Sequence, residues 1–187
     1  KPQQRKELKA GQRQQRSRVA FRRIAADLVP GPLRNEPADD ALHQEGGCPI
    51  EPTDLPADSR HLDFYEAALI TSDKTWQCWA LGAYRAEDAV NMGGIAYGLT
   101  RAEMKRIPIT LTIINSNSPL RLDVPMCEAL LAMGKAGQPL AMTPFTLSGA
   151  MSPVSLAGAL TQQHAEALAM LALSQINEPG APVLYGG

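Results

Sequence analysis

Four short apolar runs alternate with longer helical patterns from residue 59 onward, and no other feature constrains the fold of this chain as strongly. The runs are TWQCWAL (75–81), IPITLTII (107–114), QPLAMTPF (138–145) and APVLYGG (181–187). Short strands that are almost entirely apolar are typical of parallel sheets covered on both faces. Their alternation with helices predicts repeated βαβ units, so we predict an α/β protein with a parallel sheet.

Helical patterns occupy the stretches before and between these runs, and two of them carry clear end signals. They cover residues 59–69, 85–98, 123–137 and the long stretch before Gly180. Asp123 and Gly137 are residue types that cap the first and last turns of a helix. For the long helix we predict Ser152 as the N-cap and Pro153 as the first helical residue.

The number of predicted strands leaves two architectures open. A closed (β/α)8 barrel needs eight strands and typically about 250 residues. This chain has 187 residues and four predicted strands, with a fifth candidate at GCPIE (47–51). It is therefore either a small open sheet or part of a barrel.

The N-terminal part differs in composition from the rest and is predicted to lie outside the βα repeats. Residues 1–29 are basic, and nine of the eighteen lysines and arginines fall within residues 1–23. We predict a helix there, ended by VPGPL (29–33). Residues 30–58 are rich in proline, glycine and acids and are predicted to form an irregular connection. The domain of βα repeats is then expected to span residues 59–187.

The charge distribution gives no support for a nucleic-acid or membrane partner. The formal net charge is -1. The basic terminus has one isolated aromatic, Phe21, and so lacks the interleaved rings that stack on bases. A solvated tail or exposed helix is the interpretation that we prefer to a nucleic-acid arm. No run of about 18 apolar residues is present, so no membrane span is expected.

The cysteine and histidine spacings predict neither a disulfide framework nor a metal site. The cysteines are odd in number and widely separated, which is typical of reduced thiols in a cytoplasmic protein. They are Cys48, Cys78 and Cys127. The histidines lack the close spacing of zinc ligands. They are His43, His61 and His164. The usual dinucleotide, P-loop and serine-hydrolase motifs are absent from the sequence.

Neutral hydrogen-bonding side chains follow three of the predicted strands. They are Asn115, Asn117, Thr143, Thr146, Ser148 and Tyr185. In parallel α/β folds the ligand site lies at the carboxyl ends of the strands, so these six, together with Ser116, Gly186 and Gly187, are candidate ligand-site residues. The alternative is that most of them form turns, because Asn, Ser and Thr readily bond to nearby backbone. No catalytic role is assigned to any of them.

A polar cluster in the long helix also has two interpretations. Gln162, Gln163, His164 and Glu166 could bind a ligand or form a polar helix face. They lie about three turns into the predicted helix, away from the expected mouth of the fold. We therefore predict that they belong to a helix surface or to a contact between subunits.

Four segments resemble the trimethylamine methyltransferase superfamily. They are EPTDLPADSRHLD (51–63), TIINSNSPLRLDVPMCEAL (112–130), QPLAMTPFTLSGAMSPVSLAGALTQQHAEALA (138–169) and PGAPVLYGG (179–187). Members of that family are corrinoid-dependent enzymes that demethylate trimethylamine or quaternary amines such as glycine betaine. The resemblance implies a TIM barrel that transfers a methyl group from a methylated amine to the cobalt of a corrinoid protein.

The same resemblance implies how the reactants are held. The corrinoid (cobalamin) is carried by a partner protein that docks over the barrel mouth, so this chain is expected to bind no cofactor directly. The resemblance places six of the strand-end residues near the barrel mouth, and these are the six candidate substrate-binding residues: Asn115, Asn117, Thr143, Thr146, Ser148 and Tyr185. The trimethylamine branch carries pyrrolysine, which this sequence does not show. Either the betaine branch is favoured or the position is absent.

Family members are longer than this chain, so the resemblance implies an incomplete barrel, about half of one. A half barrel exposes sheet edges that must be paired or covered, and we therefore expect a homo-oligomer. The alternative function is that of a catalytically inactive barrel fragment that only binds or assembles.

Overall fold

The structure is a computed structural model that describes residues 52–71 and 75–186. The predicted helix over 1–29, the candidate strand at 47–51 and most of the 30–58 connection lie outside these residues. The elements of the described part are α1 (Arg60–Thr71), β1 (Trp76–Cys78), α2 (Ala83–Tyr97), α3 (Arg101–Met104), β2 (Thr110–Ile114), α4 (Val124–Lys135), β3 (Leu140–Met142), α5 (Leu156–Asn177) and β4 (Val183–Tyr185). None of the helices described here is both long and apolar enough to cross a membrane.

The four strands form one sheet in the order β1–β2–β3–β4. The pairs β2–β3 and β3–β4 are parallel, with Ile114 opposite Met142 and Met142 opposite Tyr185. At least one helix follows each of the first three strands, which is the βαβ repeat. The prediction of an α/β fold with a parallel sheet is confirmed. Residues 52–71 and 75–186 contain four strands, whereas a closed barrel needs eight, so this part of the chain does not show a barrel.

The chain divides into two compact units, residues 1–76 and 77–187. In the described part of the first unit, aromatic side chains pack against one another. The ring centroid of Tyr65 lies 4.9 Å from that of Trp76 and 5.4 Å from that of His61. The Phe64 ring lies 6.4 Å from Trp76. All four side chains are buried, so α1 is held by an aromatic core.

The core of the second unit lies between the sheet and the helices α2 and α4. Ile114, Leu140 and Met142 of the strands are fully buried, as are Leu130 and Met133 of α4. Helix α4 contacts α2 as well as β2 and β3. The strands are therefore covered by apolar side chains, as the apolar runs in the sequence predict.

A buried glutamine joins the amino ends of β2 and β3. The Gln138 carbonyl oxygen accepts hydrogen bonds from the backbone N–H of Ile109 at 2.9 Å and of Thr110 at 3.2 Å. Its amide nitrogen donates to the carbonyl oxygens of Met104 at 2.8 Å and Ala136 at 3.1 Å. Four hydrogen bonds satisfy this fully buried side chain. Gln138 is thus structural and lies at the edge opposite the candidate site.

The predicted ends of α4 are confirmed. Asp123 is the N-cap, and its carboxylate accepts a hydrogen bond from the N–H of Met126 at 2.8 Å. Gly137 follows the helix with φ of 72°, a left-handed conformation that favours glycine.

The predicted start of the long helix is wrong. Helix α5 begins at Leu156, and its N-cap is Ser155 rather than Ser152. The hydroxyl of Ser148 donates to the carbonyl oxygens of Pro153 at 3.2 Å and Val154 at 3.1 Å. Because these carbonyls are engaged by the loop, Pro153 lies outside the helix that it was predicted to open.

Helix α3 was not predicted, although a capping box marks its start. The Thr100 hydroxyl accepts a hydrogen bond from the N–H of Glu103 at 3.3 Å, and the Glu103 carboxylate accepts one from the N–H of Thr100 at 2.8 Å. The strand predicted to start at residue 107 accordingly begins at Thr110.

Candidate functional site

The carboxyl ends of β2, β3 and β4 meet at one edge of the sheet, which we call the rim. It is formed by the three residues that directly follow these strands, Asn115, Thr143 and Gly186. The Thr143 hydroxyl donates to the side-chain oxygen of Asn115 at 2.7 Å. A Cβ atom at Gly186 would lie 3.0 Å from the methyl carbon of Thr143, so the backbone packs closely here. Two of the six candidate residues are therefore brought together.

A second hydroxyl pair links the loops that follow β2 and β3. The side-chain oxygens of Ser118 and Thr146 lie 3.2 Å apart. Thr146 is one of the six candidate residues, whereas Ser118 was not singled out. The neighbouring Asn–Ser repeat in NSNS (115–118) is the sequence signal that could have included it.

Two other candidate residues are engaged in local structure. The Asn117 side-chain oxygen accepts the N–H of Asp123 at 3.0 Å, and the Asn117 N–H donates to the Arg121 carbonyl at 2.7 Å. Asn117 thus closes a turn before α4, which is the alternative role considered for it. Ser148 bonds within its own loop, at Pro153 and Val154. Neither side chain joins the Asn115–Thr143 pair.

Tyr185, at the end of β4, contacts the polar cluster of α5. Its hydroxyl lies 2.8 Å from Nδ1 of His164, and the two rings meet edge to face with centroids 5.8 Å apart. An open cavity of about 440 Å³ adjoins this pair and is lined by Leu160, Gln163, His164, Tyr185 and Gly186. His164 therefore lies beside the rim and not on a remote part of the helix.

Glu166 is the most heavily engaged polar residue near the rim. One carboxylate oxygen accepts the hydroxyl of Ser118 at 2.7 Å and also that of Ser116. The other oxygen accepts the N–H of Leu120 at 2.8 Å and the side-chain amide of Gln162 at 3.0 Å. Only 4% of Glu166 is exposed. The prediction of a helix surface for this residue is wrong.

The length of the loop before α5 explains why the polar cluster reaches the rim. Residues 143–155 separate β3 from α5, so thirteen residues of loop precede the helix. About three turns are then needed before the helix reaches the level of the loop after β2. Because the helix starts at Leu156, Glu166 lies just under three turns along it and Gln162 under two turns, which is closer to the helix start than predicted.

The hydrogen bonds to Glu166 keep its carboxylate ionised. Burial alone would raise the pKa of Glu166, but the bonds from Leu120, Ser116, Ser118 and Gln162 outweigh it. The net effect is a pKa below the ordinary value for a glutamate. The charged carboxylate borders a mostly apolar cavity of about 310 Å³. Its other lining residues include Leu122, Arg121, Met170 and Leu173.

The described residues near the sheet offer no activated thiol and no metal cluster. Burial raises the pKa of Cys78 to about 11, which leaves the thiol protonated at neutral pH. Within residues 52–71 and 75–186, no three His, Cys, Asp or Glu side chains come together as metal ligands. The groups at the rim can therefore position a neutral or cationic molecule through hydroxyl and amide oxygens.

Comparison of the sequence with known proteins identifies the family of this chain. Residues 36–187 match the family model described as trimethylamine methyltransferase (MTTB). A glycine betaine methyltransferase from Desulfitobacterium hafniense is 39% identical over 145 residues, which are 78% of this chain and 30% of that protein. The trimethylamine methyltransferase MttB1 of Methanosarcina mazei is 38% identical over 90 residues, 48% of this chain and 18% of that protein.

The two relatives match different shares of this chain, and both are named as methyltransferases. The chain spans under a third of the length of either relative. The matched region includes every described residue at the rim, since it runs from residue 36 to the end of the chain. This chain belongs to the trimethylamine methyltransferase family.

Proposed function

We propose that this protein acts in the cytoplasm in methyl transfer from a methylated amine to the cobalt of a corrinoid protein. The observation that supports it most is the Asn115–Thr143 pair, a neutral polar pair at the carboxyl ends of parallel strands in a chain of this family. Substrate positioning is the main task that such a reaction leaves to the protein.

The chemistry of the rim suits an amine without N–H groups. A quaternary ammonium offers no proton for a hydrogen bond, so it is held by neutral oxygens, aromatic faces or a nearby carboxylate. Asn115 and Thr143 provide oxygens, Tyr185 provides a ring that is 54% exposed, and Glu166 provides a negative charge behind the loop. Glycine betaine is the proposed substrate because the similarity to a glycine betaine methyltransferase covers the larger share of this chain.

The residues at the strand ends fit a methyl acceptor that is carried by another protein. Asn115 and Thr143 offer an amide and a hydroxyl, whereas protein ligands to such metals are commonly imidazoles or thiolates. These side chains would therefore face the corrinoid without ligating its cobalt. When bound to its carrier, the reduced corrinoid supplies cobalt(I) as the nucleophile.

For a quaternary amine such as glycine betaine, the electron balance of the step requires no acid, base or nucleophile from this chain. The methyl group leaves nitrogen, which keeps the electron pair of the broken N–C bond. The bond to cobalt is formed with the electron pair of cobalt(I). From glycine betaine the amine product is dimethylglycine, and no proton is transferred. The protein is left to align the three reacting atoms.

The test is an anaerobic methyl-transfer assay with the purified chain and cob(I)alamin or a corrinoid protein. Glycine betaine, trimethylamine and choline are supplied separately, with unmethylated glycine as the matched control. Absorbance reports methylation of cobalt, and proton NMR reports the demethylated amine. We expect one methyl transferred per amine consumed and no reaction with glycine. Absence of transfer from any amine, with circular dichroism showing folded protein, would overturn the proposal.

A second function is supported by the edge strand β4. Among the residues that the structure describes it is the last strand in the sheet order, and its Leu184 and Tyr185 are 52% and 54% exposed. Apolar side chains on an unpaired strand edge favour pairing with another chain. We therefore propose, as the alternative, an inactive module that assembles with itself or with a partner.

Light scattering separates this alternative from a free monomer. An assembly module is expected to elute well above its chain mass of 20.1 kDa and to return toward it in Leu184→Lys. Ile95→Lys, at an 82% exposed position on α2, is the control for added charge alone. A monodisperse wild-type monomer would rule out self-assembly.

A further inference from the structure

The loops that follow β2 and β3 are both connected by hydrogen bonds to one residue, Glu166, which belongs to neither loop. Glu166 is in the middle of α5, ten residues after the helix starts at Leu156. It accepts hydrogen bonds from Ser116, Ser118 and Leu120 of the first loop. Through Ser118, whose oxygen lies 3.2 Å from that of Thr146, the connection reaches the second loop.

We infer that Glu166 is a positioning residue, which sets the placement of the rim by holding both loops from behind. This inference rests on the function proposed above, in which the rim holds the methylated amine. Glu166 does not need to touch the substrate, because its two oxygens already accept four hydrogen bonds from the protein. Its effect on the reaction would pass through Ser116, which directly follows Asn115.

The backbone of the first loop supports this role. Leu120 has φ of 53°, a left-handed conformation that residues with a Cβ atom rarely adopt. A residue in this region persists when its surroundings hold it there, and such residues cluster at functional sites. The N–H of Leu120 donates to Glu166 at 2.8 Å, so the same carboxylate holds the unusual turn.

A neighbouring side chain makes Glu166 part of a wider network. The amide nitrogen of Gln162 donates to Glu166 at 3.0 Å and to the carbonyl oxygen of Met151 at 2.9 Å. Met151 belongs to the loop after β3. The second loop is therefore tied to Glu166 at two points, through Ser118–Thr146 and through Gln162–Met151.

The first test measures loop order by site-resolved amide exchange on the full chain, without any substrate. In Glu166→Ala we expect faster exchange at Leu120 and at Gly149 and Met151, whose amides bond within the second loop. Changes in amide exchange along α5 itself should be small. Unchanged exchange at all three amides, in a folded variant, would overturn the inference.

A second variant tests the inference even if Glu166→Ala does not fold. Ser118→Ala removes only the link to Thr146 and one of the bonds to Glu166. Exchange should then rise at Gly149 more than at Leu120, whose bond to Glu166 is retained. Equal changes at both amides, or none at either, would contradict a path through Ser118.

The third test uses the conservative variant and the methyl-transfer assay. Glu166→Asp keeps the charge but shortens its reach, so it should restore part of the order that Glu166→Ala loses. In an active protein, Glu166→Ala should raise the KM for the amine by about tenfold or more, the effect of misplacing a positioned substrate. The matched control Glu128→Gln, exposed on α4, should leave KM unchanged.

The two kinds of readout distinguish failure of this inference from failure of the proposed function. If no amine is demethylated by the wild type, the proposed function fails, and amide exchange still decides whether Glu166 orders the loops. If the wild type is active and Glu166→Ala has an unchanged KM, the inference is wrong while the function stands.

Discussion

The hydroxyl of Thr143 donates to the side-chain oxygen of Asn115 across 2.7 Å, and this bond joins the carboxyl ends of two parallel strands. The two residues are 28 positions apart in the sequence. Ile114 pairs with Met142 in the parallel strands β2 and β3. Asn115 directly follows Ile114, and Thr143 directly follows Met142, so this pairing brings Asn115 and Thr143 together. The candidate site is therefore a product of strand register. A shift of one residue would separate the pair and reverse the faces of β3.

Glycine at position 137 is required for two separable reasons. Its φ of 72° is left-handed, and a Cβ atom there would lie 2.6 Å from the Cα of Lys105. Gly180 has a similar φ of 86° but no atom within 4 Å of such a Cβ. Gly180→Ala should cost about 1 kcal/mol from backbone conformation alone. Gly137→Ala should cost about 2 kcal/mol more because of the clash.

Urea unfolding of both glycine variants measures this difference. Since the two backbones are similar, Gly180→Ala serves as the control for φ. Equal loss of unfolding free energy in the two variants would show that the clash with Lys105 is relieved by movement.

Gln138→Leu should be strongly destabilising without altering the rim. The change keeps the approximate side-chain size but removes four buried hydrogen bonds at the amino ends of β2 and β3. We expect a loss of about 3 kcal/mol in the free energy of unfolding. Gln163→Leu, at a half-buried position on α5, should change it by about 0.5 kcal/mol or less. Similar losses from the two variants would contradict the structural role of Gln138.

Glu166 should make the stability of the protein depend on pH in the acid range. Its pKa is lowered in the folded state, so its contribution is present above the unfolded pKa, about 4.3. That contribution is lost as the pH falls through the lower folded pKa. Denaturation at a series of pH values should therefore show a smaller acid dependence in Glu166→Gln than in the wild type.

Two other charged groups bear on the pH measurement. The pKa of Glu103 is also lowered, by hydrogen bonds from Thr100. The acid dependence of stability should therefore be measured for Glu103→Gln as well, for comparison with Glu166→Gln. Arg121 also lines the cavity beside Glu166. Identical pH profiles for the wild type and Glu166→Gln would show that the carboxylate is not specifically stabilised by folding.

Cys78 should resist alkylation in the folded protein. Its thiol is buried, and burial raises its pKa to about 11, whereas Cys127 is half-buried on α4. Because the thiolate is the reactive form, iodoacetamide should modify Cys78 about a hundredfold more slowly than a thiol of ordinary pKa. Peptide mass spectrometry resolves the two sites. Equal labelling of both in folded protein, followed by equal labelling in urea, would contradict the buried position of Cys78.

The parallel sheet was predictable because its signals are local. Each strand is an apolar run, and Asp123 and Gly137 mark the ends of α4 with side-chain and backbone chemistry that the sequence displays. The start of α5 was not predictable from Ser152 and Pro153. Ser152 and Pro153 usually indicate the start of a helix. Here the Ser148 hydroxyl donates to the Pro153 carbonyl, and this hydrogen bond depends on how the loop folds back.

The candidate site was also predictable from the sequence only in part. Asn115, Thr143 and Thr146 follow from the rule that ligands bind at the carboxyl ends of strands. Glu166 does not, because its role depends on the distance that α5 travels before it passes the loop after β2. The capping box at Thr100, by contrast, was visible in the sequence and could have revealed α3.

A single-turnover methyl transfer tests the account most directly. Wild type, Thr143→Val and Lys105→Ala are each mixed with cob(I)alamin and glycine betaine, and the rate of cobalt methylation is recorded. Lys105 pairs with Glu178 and contacts Gly137 away from the rim, so its variant is the control. We predict transfer by the wild type, about tenfold slower transfer by Thr143→Val, and an unchanged rate in Lys105→Ala. Equal rates in all three proteins would contradict a substrate site at the Asn115–Thr143 rim.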